Sequence, residues 1–95
     1  MFIITLKFSS NKARASQFME GHNQWIEQGI NDDVFLLVGS LQPNLGGVVM
    51  AHNTSLSELE TRVNSDPFVV EDVVSAKIIE ITPTKTDKRL GFLIE

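Results

Sequence analysis

Polar and apolar positions alternate with a period of two at the start of the chain. Phe2, Ile4, Leu6 and Phe8 fall on one side, and Ile3, Thr5 and Lys7 on the other. That pattern predicts a strand over residues 2–8. Ser9-Ser10-Asn11 supplies an N-cap, with Asn11 the expected capping residue, for a helix from about residue 12 to 29. Gly29 suits the left-handed position after such a helix, and Asn31-Asp32-Asp33 reads as a turn. Residues 34–40 are apolar on both faces and predict a second strand covered on both sides. Gln42-Pro43-Asn44-Leu45-Gly46 turns the chain, and residues 47–52 return as a third strand. Ser55-Leu56-Ser57-Glu58 is a capping box, opening a second helix with Leu56, Leu59 and Val63 on its inner stripe. Asn64-Ser65-Asp66 ends it, Pro67 begins a short helical turn through Glu71, and residues 73–81 form the fourth strand. Residues 1–83 thus read as one α+β domain. Residues 84–95 are a tail that turns apolar at Leu90-Gly91-Phe92-Leu93-Ile94.

The order βαββαβ is the ferredoxin-like arrangement, a four-stranded antiparallel sheet with two helices on one face. If Phe2, Ile4, Leu6 and Phe8 face the helices, Ile3, Phe35, Leu37, Val49, Val73, Ile79 and Ile81 are expected on the opposite side. Such an apolar face exceeds what a monomer normally exposes. A homodimer with two sheets packed face to face is therefore expected, the tail pairing with the partner's edge.

Composition narrows the function classes. Eight basic residues against twelve acidic ones, a formal charge of −4, argue against a nucleic-acid surface. No apolar run approaches the roughly 20 residues of a membrane span. Residues 1–6 are too short for a signal segment and lack a basic flank, so the expectation is a cytoplasmic protein with no membrane partner. The absence of cysteine excludes disulfides, thiolate-zinc sites and a thiol nucleophile. Two histidines thirty positions apart, without a ligand-spaced carboxylate motif, point to no metal.

One of those histidines lies on the first helix. Phe18, His22, Trp25, Ile26 and Gly29 share a stripe at helical spacing, which places His22 on an inward face. A buried imidazole needs a polar partner, since leaving it unpaired costs about 1–3 kcal/mol.

Three short pieces occur in order: His22-Asn23-Gln24-Trp25, Gly39-Ser40 at the second strand, and Ser65-Asp66-Pro67-Phe68 after the second helix. With the βαββαβ order and the length, they make the chain resemble the YciI-like (YCII-related) family over most of residues 1–83. The resemblance implies a dimeric α/β-barrel, akin to muconolactone isomerases and cofactor-free antibiotic-biosynthesis monooxygenases. It also implies a small-molecule enzyme with a His and an Asp at its site, one branch being associated with dehydrochlorination. By motif position these are His22 and Asp66, with Ser40 as the small residue after the strand glycine. The connection between the second and third strands is short for that family.

The residues themselves allow the same chemistry. Asp66 before a rigid proline is a fixed carboxylate, able to accept from one His22 ring nitrogen and leave the other as a base. Ser40 can donate to a developing oxyanion, and Trp25 and Phe68 are expected as apolar walls for a small cyclic or aromatic ligand. Each has a plainer role too: His22 as a paired core histidine, Asp66 as a turn former, Ser40 as a strand end, Trp25 as core or dimer contact. His52 is expected in an exposed loop, and Gly46-Gly47 in a turn. Three readings stay open: cofactor-free general acid/base catalysis by His22–Asp66, of an isomerase- or lyase-like kind; a non-catalytic dimeric module that only binds or senses a metabolite; and a scaffold in which the His22–Asp66 pair only fixes the exit of the second helix.

Overall fold

Alternation makes β1, Phe2–Phe8, the central element. Phe2, Ile4 and Leu6 are buried, whereas Ile3 and Thr5 are half-buried and Lys7 is exposed. A computed structural model describes residues 1–94. In it β2 (Phe35–Leu41), β3 (Gly46–Ala51) and β4 (Val74–Glu80) join β1 in an antiparallel sheet of order β2-β3-β1-β4. Helices α1 (Ala15–Asn31), α2 (Leu56–Val63) and the single turn α3 (Pro67–Val70) cover one face. The fold is thus the expected α+β, ferredoxin-like one. No helix among the described residues is long and apolar enough to cross a membrane.

The first helix begins later than expected. Residues Lys12–Arg14 form a 3-10 turn, α1 starts at Ala15, and no side chain caps either start. Asn11 instead donates its Nδ2 to the carbonyl of Glu71 at 2.9 Å, while its amide donates to Asp72. It ties the entry of α1 to the exit of α3, which satisfies more backbone across the fold than a local cap does.

Gly29 is not the residue after the helix either. It lies inside α1, where a Cβ would overlap Cδ2 and Cε2 of the Phe35 ring. The left-handed position falls to Asp33, at φ 60°. In α2, Leu59 and Val63 are buried as expected, but Leu56 at the first helical position is 41 % exposed and belongs to the outer side.

The two sheet faces also differ from the expectation at three positions. Phe35 pairs with Ala51 and faces the helices, whereas Leu37 pairs with Met50 on the open face. A bulge between them flips the alternation. Val49 stands opposite Ile4, so it too points into the core. Val73 precedes β4 and is buried where its amide donates to the Phe68 carbonyl at 2.9 Å. The open face keeps Ile3, Leu37, Met50 and Ile79, with Leu37 54 % and Ile79 40 % exposed.

The tail, from residue 84, ends in a 3-10 helix over Lys88–Ile94. Its Phe92 meets His52 edge-on at 5.5 Å, so His52 is half-buried rather than a free loop residue.

Candidate active site

Helix α3 starts from Asp66. This residue is the N-cap: its carboxylate accepts from the amide of Phe68 at 3.0 Å, and Pro67 fills the first helical position where no amide is needed. Its own amide donates to Val63 and its carbonyl accepts from Val69 and Val70. The carboxylate is therefore fixed through its backbone on both sides, and it is completely buried.

Helix α1 meets α3 at Gly21, where a Cβ would sit only 3.1 Å from Cγ of Pro67. That close approach brings the next residue, His22, to Asp66. The His22 Nδ1–H donates to Asp66 Oδ1 at 2.8 Å. An acceptor-only carboxylate on Nδ1 places the ring proton there and leaves Nε2 as the unprotonated nitrogen of the neutral ring. The ring plane is held as well. Phe68 stacks on the imidazole with centroids 4.0 Å apart and planes 4° from parallel, and Trp25 lies 5.9 Å away at 22°. Trp25 is itself anchored, its Nε1 donating to the Arg62 carbonyl at 2.8 Å. Asp66 Oδ2 is buried with no hydrogen-bond partner among the described residues, whereas Oδ1 meets both His22 and Phe68.

His22 opens onto a cleft of about 330 Å3 between α1 and the sheet. Ser40 lies on its lining, on the same sheet face as Val38 and opposite Gly47. His22, Asp66 and Ser40 are thus gathered at one place, with Asp66 behind the imidazole and Ser40 across the cleft. Trp25 and Phe68, expected as ligand walls, are not on the lining. Both are buried, and they support the imidazole from within the core. The walls come instead from side chains that the sequence did not assign to the site, among them Met19, Asn23 and Val38. Asn23 follows His22 directly, and a helix rotates about 100° per residue, so it was reachable from the α1 stripe. Gly46 and Gly47 are not a turn but the first residues of β3, and both line the cleft. Among the described residues no three His, Asp or Glu side chains gather as a metal site.

No family model matches the chain, and no curated protein matches its sequence. Among solved structures it is similar to 5-chloro-2-hydroxyhydroquinone dehydrochlorinase (TftG) from Burkholderia phenoliruptrix AC1100, determined in complex with 2,5-dihydroxybenzoquinone. The TM-score is 0.69 at 13 % identity, covering 94 % of this chain and 98 % of that one. The likeness shows the shared fold, in which a small-molecule enzyme is one occupant.

Proposed function

We propose that the protein is a small-molecule enzyme of the YciI-like kind, working by cofactor-free general acid/base chemistry with His22 as the proton carrier. The observation that carries this reading is the 2.8 Å contact from Nδ1 to a fully buried carboxylate, on a histidine that lines a cleft. Nε2 takes a proton from the carbon next to a carbonyl of a small cyclic or aromatic compound. The electron pair moves onto the carbonyl oxygen, where the Ser40 hydroxyl donates a hydrogen bond. Return of the proton to another carbon is an isomerisation. Loss of a leaving group such as chloride is an elimination, the reaction class in the name of the structural neighbour. Asp66 holds the tautomer and balances the charge of the imidazolium that forms. We also read the active species as a homodimer joined through the open sheet face, supported by exposed Leu37 and Ile79.

The test is turnover of chlorinated hydroxyhydroquinones, followed by chloride release. His22→Ala is expected to lower the rate by about 100-fold or more, the usual span of general acid/base assistance, while circular dichroism stays native. An unchanged rate in folded His22→Ala sinks the reading.

One observation favours a second reading. Asp66 caps α3 and His22 stacks on Phe68 whether or not a proton moves. In a metabolite-binding module these contacts serve only to shape the cleft. His22→Gln then weakens binding modestly, and no compound that binds is converted.

A further inference from the structure

The cleft beside His22 is lined by neutral groups. Among its lining residues none is Lys, Arg, Asp or Glu; the polar side chains are those of His22, Asn23 and Ser40. The charge that an imidazolium at His22 would carry is already matched by Asp66, 2.8 Å away. Lys12 comes near the rim, yet it is exposed and its ammonium is engaged 4.6 Å from the centre of the Phe8 ring. A carboxylate entering this space loses part of its hydration and finds no side chain of opposite charge on the lining.

The floor has a second property. Leu6, Gly47 and Ser40 stand in one cross-strand row on the helix-facing side, so the middle of that row has no side chain. A Cβ at Gly47 meets nothing nearer than the Gly39 carbonyl oxygen at 3.4 Å, so the gap is not demanded by backbone crowding. At Gly46 it is, since φ is +131° and a Cβ would overlap the Leu6 carbonyl oxygen. The bare strip at Gly47 is room for a flat face.

Building on the catalytic reading of His22, we infer that this cleft selects an uncharged, single-ring compound lying on the Gly47 strip and rejects its carboxylated analogues. Asn23 and Ser40 are the specificity residues, taking the ring's hydroxyl or carbonyl substituents. Two matched pairs test this: resorcinol against 3,5-dihydroxybenzoate, and the unsubstituted butenolide against its carboxymethyl derivative. Affinities come from calorimetry, and the His22 ring resonances are followed by NMR. The neutral member of each pair is expected to bind at least tenfold tighter and to shift the His22 signals. Gly47→Val should abolish that binding, with Gly47→Ala as the milder variant if valine unsettles the sheet. Ser40→Arg should narrow or reverse the preference. Carboxylated members that bind equally or better while shifting His22 overturn the selectivity but leave the site standing. A carboxylate affinity lost in Lys12→Ala does the same and puts the cation at the rim. If none of the four compounds moves the His22 resonances, both the selectivity and the catalytic reading fall.

Discussion

The ring of Phe35 occupies the space into which any side chain on Gly29 would project. The close crossing of α1 over β2 depends on that missing Cβ. Gly29→Ala is therefore expected to destabilise the protein, by about 1–3 kcal/mol through overpacking despite the better helix propensity of alanine. Urea denaturation checks this. A variant as stable as the parent would mean that the ring can move aside.

Asp66 has two tasks that separate by substitution. Asparagine is as good an N-cap as aspartate and retains an oxygen to accept from Phe68 and His22. Alanine removes both contacts. Asp66→Ala is expected to lose about 2–4 kcal/mol, combining a lost cap with a lost buried hydrogen bond, and Asp66→Asn distinctly less. In the catalytic reading Asp66→Asn nevertheless loses most of the turnover, because the charge balancing the imidazolium is gone. Thermal unfolding and rate measured on the same two variants test both halves.

The start of α2 has its own pH dependence. The Ser55 amide and hydroxyl both donate to the Glu58 carboxylate, at 3.2 and 2.9 Å, and hold its pKa below the ordinary 4.5. A carboxyl depressed in the folded state adds stability above its unfolded value and loses it as pH falls through the folded one. The stability difference between the parent and Glu58→Gln should thus be present at neutral pH and shrink on acidification below the carboxylate range. At neutral pH, Ser55→Ala is expected to cost about 1 kcal/mol. Denaturation at two pH values measures both.

The open sheet face bears on assembly. Leu37→Glu and Ile79→Glu place charge on residues that are 54 % and 40 % exposed in the single chain. If two sheets pack together, each substitution buries an unpaired carboxylate and should shift the protein to monomer in sedimentation. If the parent is already monomeric, the homodimer proposal fails and neither change matters.

Local signals made much of this legible in the sequence. The alternation of Phe2 to Phe8, the Ser55–Glu58 box and Pro67 at a first helical position each act over a few neighbours, and each element formed near its expected place. The stripe through Phe18, His22 and Trp25 likewise put the imidazole inward, because helical periodicity is local too, while Asp66 stood out only as a carboxylate before Pro67 in a motif the chain resembles.

Only the tertiary structure decided what depends on register and approach between elements. A bulge after Phe35 turned that ring inward, the pairing of Val49 with Ile4 set its face, and Phe35 in turn explains Gly29. Asn11 gave up a local cap for the Glu71 carbonyl, and Trp25 and Phe68 came to lie behind the imidazole, not across a ligand. The cleft itself, with Asn23 and the Gly46–Gly47 strip, arises from where α1 settles on the sheet. Such relations join residues far apart in the chain, and no short stretch of sequence contains the distance between them.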